Sequence, residues 1–155
     1  MREARNGNGG TNGSGSSTRA AIRSYRDIEA YRRAMGVLAP LHKLLARLPD
    51  VERFELASQL RRAAKSVPAN IAEGYGKKRS AKEFKVYLGR ALGSANEVVV
   101  HLEIAVAVGY AGQEGVQALI DGYEIVAKQL FRLIESWTDF GKTGSTTGQE
   151  TARRM

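Results

Sequence analysis

Glu97 and His101 stand one helical turn apart, a spacing that puts a carboxylate and an imidazole on the same face of a helix, as a divalent metal would require. One such pair supplies too few ligands, and the Glu-x-x-His spacing of di-iron bundles is absent. His42 falls on an apolar stripe, where a hydrogen-bonded core residue is expected rather than a ligand. The chain has no cysteine, which excludes thiolate metal sites and disulfides. It holds no P-loop, no Gly-x-Gly-x-x-Gly after a strand, and no paired nucleophile and base. The string Pro68-Ala-Asn-Ile-Ala-Glu-Gly74 offers Asn70 and Glu73 as polar candidates. A proline within a helix frees a backbone carbonyl, and these two side chains read better as groups that satisfy it and cap the kinked turn. The expectation is a non-enzymatic protein with no catalytic residue, no metal and no cofactor.

Charge is the property that carries chemistry here. The 155 residues hold 24 Lys/Arg against 16 Asp/Glu, a net +8. Nine of those bases (Arg61, Arg62, Lys65, Lys77, Lys78, Arg79, Lys82, Lys85 and Arg90) fall in one stretch of thirty residues beside only two acids, Glu73 and Glu83. The rest of the chain is close to neutral. Lys and Arg that neutralise phosphates release condensed counterions, so such a patch binds RNA or DNA backbones without regard to sequence and with strong salt dependence. A solvated face that keeps the protein soluble is the plain alternative. Nothing points to base-specific readout. Tyr75 and Tyr87 carry rings that stack on bases, but core or interface packing is the expectation for each.

The elements that must position these groups are helical. Ser24 with Asp27 resembles a capping box. Ile28, Tyr31, Ala34, Met35, Leu38, Leu41, His42 and Leu45 then share one side of a 3.6-residue wheel, with Gly36 and Pro40 predicting a kink in preference to a break. Leu48-Pro49-Asp50 makes a turn. A second helix, from near Asp50, has Phe54, Ala57, Leu60, Ala64, Val67 and Ile71 on its apolar side, is kinked at Pro68 and ends at Gly74-Tyr75-Gly76. On it Arg62 points away from the apolar stripe and Arg61 and Lys65 flank it. Lys77-Lys78-Arg79 form a Gly-flanked loop.

The third helix opens at Ser80-x-x-Glu83, and Lys82 and Lys85 lie in its first turns. Its main stripe is Phe84, Leu88, Ala91, Leu92, Ala95, Val98, Val99, Leu102 and Ala105. Half-way round the wheel lies a second stripe, Val86, Gly89, Gly93, Val100 and Ile104, with Glu97 in its middle. An outer helix of a monomer should be charged there. Small apolar residues in that position predict a homo-oligomer interface, with Glu97 fixing register against a basic residue of a neighbour. The plain alternative is that this helix is the central, most buried one of a monomer. Gly109 and Gly112 bracket a short connection. The fourth helix runs from about Gln113 to Phe140, with Val116, Leu119, Ile120, Tyr123, Val126, Leu130, Leu133, Ile134 and Trp137 inward. The fold class expected is all-α, an up-down-up-down four-helix bundle.

Residues 1–22 and 141–155 are dominated by Gly, Asn, Ser and Thr and read as disordered tails around a bundle domain of residues 23–140. With no apolar leader and no run long enough to span a membrane, the expected location is the cytoplasm.

Several of these strings resemble a known family. They are Tyr25-Arg-Asp-Ile-Glu-Ala-Tyr31, Gln59-Leu-Arg-Arg-Ala-Ala-Lys-Ser-Val-Pro-Ala-Asn-Ile-Ala-Glu-Gly-Tyr-Gly76, Ser80-x-x-Glu-Phe84 with Leu88, Gly93-Ser94-x-x-Glu97, and Gly109-Tyr110. Together they span roughly residues 24–137 and resemble the four-helix bundle proteins encoded in intervening sequences of bacterial large-subunit ribosomal RNA genes. The resemblance implies a ring-like homopentamer. It also implies kinship in fold and charge, without a shared motif, to the accessory protein of diversity-generating retroelements. That accessory protein is a basic pentameric barrel that binds nucleic acid and a reverse transcriptase. The partners expected are therefore further copies of this chain, RNA or DNA, and by resemblance a reverse transcriptase. A protein scaffold or adaptor is the competing expectation.

Overall fold

The computed structural model describes residues 21–139. The tails expected over 1–22 and 141–155 lie outside these residues, apart from Ala21 and Ile22. Among the described residues the structure is all-helical, without strands. Five helices form it: α1 (Glu29–Gly36), α2 (Leu38–Leu45), α3 (Leu56–Tyr75), α4 (Ala81–Ala107) and α5 (Gln113–Ser136). None is long and apolar enough to cross a membrane.

The expected first helix is broken at Val37 into α1 and α2, so the four helices expected become five among the described residues. Pro40 explains the break. It becomes the third residue of α2, in the first turn, where a backbone N–H has no intrahelical partner to lose. Ser24 and Asp27 do form a capping box, but around a short 3-10 turn, Tyr25–Asp27, and not at the start of the long helix.

Pro68 is accommodated differently. It is buried within a continuous α3. Contrary to expectation, Asn70 does not reach the Ala64 carbonyl that Pro68 leaves without its usual donor. Its Nδ2 donates to the carbonyl and hydroxyl of Ser66, at 2.8 and 2.9 Å. Glu73 is exposed.

The core is apolar throughout. Leu41, Leu60, Val67, Ile71, Phe84, Leu88, Val98, Leu102, Val116, Tyr123, Val126 and Leu130 are fully buried. Each such aliphatic side chain contributes roughly 1.5–3 kcal/mol relative to exposure. α4 is the central helix, packed most extensively on α3 and α5. Three residues placed on inward stripes lie outside the core. Phe54 is 83% exposed and Met35 45% exposed. Phe54 precedes α3, whose helical phase begins at Leu56 after Glu55 leaves helical geometry (φ −107°, ψ −105°). Leu56 and Ala63 are buried in its stead. His42 is exposed, and its Nδ1 meets the Leu38 carbonyl at 2.8 Å. A carbonyl only accepts, so Nδ1 carries the proton.

The turn between α4 and α5 is tightly built. Gly109 takes φ +81°, the left-handed region, and closes α4. The Tyr110 N–H donates to the Ala105 carbonyl and the Gly109 N–H to the Val106 carbonyl, the two bonds of a Schellman cap. Tyr110 then donates through its hydroxyl to Glu52 Oε1 at 3.0 Å. The other oxygen of Glu52 accepts from the Leu56 N–H, 3.1 Å away, at the start of α3.

Candidate nucleic-acid interface

The basic residues straddle the junction of α3 and α4. A Cβ built on Gly74 would fall 2.5 Å from Tyr87 Cβ and 3.0 Å from Phe84 Cδ2, so the two helices meet here only because Gly74 has no side chain. Further along the seam the Ser94 hydroxyl bonds to that of Ser66 at 2.9 Å. Positions on α3 fall as positions on α4 rise, so the two helices run antiparallel. Asn70, Ser66 and Ser94 form a half-buried polar line between them.

At the Gly74 end, Lys77 and Arg90 converge on one ring. Lys77 Nζ stands 5.2 Å and Arg90 Cζ 4.9 Å from the centre of the Tyr87 ring. A hydrogen bond with Tyr87 raises the Lys77 pKa, helped by the carboxylates of Glu83 and Glu73 and opposed by slight desolvation. Arg62 and Lys65 are exposed along α3, and Arg79 and Lys82 are exposed at and just after the loop. These six bases (Arg62, Lys65, Lys77, Arg79, Lys82 and Arg90) all reach solvent, and none is salt-bridged to an acid among the described residues.

The other three are drawn aside. Arg61 is half-buried on the side of α3 that faces α2, and its Nη2 donates to the Arg53 carbonyl at 2.9 Å. It therefore does not share a face with Arg62. Lys78 folds back over the Tyr75 ring, 4.0 Å from its centre, with Nζ 2.6 Å from the phenol oxygen. Tyr75 in turn belongs to an edge-to-face chain Tyr31–Tyr25–Tyr75–Phe84–Trp137 that closes one end of the bundle. Packing is its role, as the sequence led one to expect. Lys85 is half-buried, seven residues before Leu92 and fourteen before Val99, on a different flank of α4 from Tyr87.

The second stripe of α4 is exposed in the protomer: Val86 is 49%, Val100 50% and Ile104 40% exposed. Cβ atoms built on Gly89 and Gly93 would meet nothing within 4 Å, so no contact among the described residues accounts for the glycines. Glu97 is 54% exposed and its carboxylate stands 3.3 Å from His101 Nε2. Among the described residues no three metal-binding side chains cluster, there or elsewhere. Phe131, 57% exposed on α5, went unnoticed in the sequence. An aromatic one position off a clean inward stripe was the available signal.

A bundle of amphipathic helices with a basic seam on one junction and a bare apolar stripe on its central helix defines the class of protein. A family model described as 23S rRNA-intervening sequence protein matches residues 26–132, most of the chain, and the chain belongs to that family. It is also similar to a crystal structure of a protein with unknown function from the S23 ribosomal protein family of Bacteroides thetaiotaomicron, with a TM-score of 0.62 and 23% identity. That match covers 69% of this chain and 99% of the other. At this identity the likeness speaks for the fold alone. No curated protein matches.

Proposed function

We propose that the protein is a non-enzymatic, cytoplasmic homo-oligomer that binds RNA or DNA through the phosphate backbone, its protomers being up-down bundles. The observation that carries this reading is the group of six solvent-facing bases on and beside the α3–α4 junction, with no bridging acid among the described residues. Their fields add, and a phosphate polymer is the partner that such a field attracts most strongly. Assembly through Val86, Gly89, Gly93, Glu97, Val100 and Ile104 would repeat the seam around a ring. The family resemblance implies five copies.

The test substitutes Arg62→Gln and Lys65→Gln, two exposed bases that hold no other residue in place. Each should weaken single-stranded and duplex binding alike and lower the log-log salt slope by about one. Unchanged affinity for both would overturn the reading. A scaffold or adaptor, such as an accessory subunit of a reverse transcriptase, is the second reading, and the exposed apolar stripe of α4 favours it. It predicts one saturable protein partner and shallow salt dependence.

A further inference from the structure

Tyr87 differs from the other tyrosines and from the packed aromatics, while the exposed Phe131 has no cation on its ring among the described residues and the exposed Phe54 has only the adjacent Arg53. Tyr25, Tyr31, Tyr75, Phe84 and Trp137 are spent on one another, and Tyr123 is buried. Tyr110 is tied to Glu52. Tyr87 is half-exposed and takes cations from two separate elements onto its ring, Lys77 from the loop and Arg90 from α4. It is also braced, because its Cβ and Cγ occupy the space that a side chain on Gly74 would fill. A ring fixed this way loses little freedom when a ligand settles on it. From it the seam runs past Asn70, Ser66 and Ser94 to Lys65 and Arg62, roughly 18 Å of helix from Gly74 to Arg62.

We propose that Tyr87 is a stacking platform for an unpaired nucleotide, and that the seam therefore prefers single-stranded nucleic acid to duplex. This rests on the nucleic-acid reading above. A base sliding onto the ring displaces the two cations sideways, toward the phosphates that flank that base. Every base has a π face, so the platform is indifferent to sequence. In a duplex those faces are already stacked on one another, and the ring finds none.

The full chain is titrated at fixed salt with a single-stranded RNA, a single-stranded DNA and the matching duplex. The unaltered protein should bind the single strands about tenfold more tightly than the duplex. Tyr87→Leu should lose about tenfold on single strands and little on duplex, and Tyr87→Phe, which keeps the ring, should bind as the parent does. Helical content and melting are followed for each variant. As a readout that needs no variant, a strand carrying 5-iodouridine is irradiated on the parent protein and should join to Tyr87. Equal losses on strand and duplex, no loss at all, or cross-links confined to other residues would overturn the platform and leave the basic surface standing. Failure of the parent to bind any of the three would overturn both.

Discussion

Tyr87 occupies the space that a side chain at Gly74 would need, with only 2.5 Å between Tyr87 Cβ and the place a Gly74 Cβ would take. That contact sets how closely α3 and α4 approach at the basic end of the bundle, and it holds the ring onto which Lys77 and Arg90 converge.

Gly74→Ala tests the contact directly. Alanine favours a helix over glycine by about 1 kcal/mol, whereas forcing a methyl into a filled space costs typically 1–3 kcal/mol. A net loss of about 1 kcal/mol is expected in urea denaturation. A gain of that size would show that the helices do not meet this closely.

Tyr123 gives a pH prediction. Its side chain is fully buried, its hydroxyl has no partner among the described residues, and burial raises its pKa from 10.0 to about 12. Burial penalises the phenolate, so the folded state binds the proton more tightly than the unfolded state does. This contribution is fully present below pH 10 and is lost as pH rises from about 10 to 12, with an upper bound of about 2–3 kcal/mol. Tyr123→Phe removes a buried hydroxyl without a partner. It should leave stability unchanged or raised by about 1 kcal/mol at pH 7. The advantage of the variant should widen above pH 10. Parallel stability curves for the two proteins between pH 9 and 12 would contradict the account.

Under the proposed assembly Glu97, the one carboxylate in the second stripe of α4, would restrict which partner register is tolerated. Glu97→Leu should change a single oligomer into a mixture of masses in native mass spectrometry. A variant with the parent's mass and melting temperature would refute the role.

Gly109→Ala places a Cβ at φ +81° and should cost about 1–2 kcal/mol, read as a lower melting temperature. Gly109→Asn should cost less, because asparagine tolerates the left-handed region. Equal costs would mean that the Schellman cap is not what closes α4.

The helical class, the Ser80 cap on α4 (its hydroxyl accepting from the Glu83 N–H at 3.2 Å) and the Gly109 terminus were legible because each is a local signal. The α4 core stripe was legible too, since a 3.6-residue period survives whatever surrounds it. Phe54 was misplaced because periodicity cannot see that Glu55 resets the helical phase. Asn70 was matched to the wrong carbonyl because two acceptors lay within one to two turns of it, and the nearer, Ser66 four residues back, offers a carbonyl and a hydroxyl together. In the basic segment nine charges can be counted in the sequence, but the turning aside of Arg61 and Lys78 depends on the Arg53 carbonyl and the Tyr75 ring.

Binding of labelled single-stranded RNA and duplex DNA across a salt series, with light scattering on the same sample, tests the central claim most directly. The account predicts an affinity for single strands that falls linearly in log salt with a slope of about −3 or steeper, equivalent to about four phosphates at 0.7 per contact. The binding species should have the mass of several protomers, about five by family resemblance. An oligomer of that size that ignores both nucleic acids at low salt would contradict it, and would make the basic seam a docking surface for a protein.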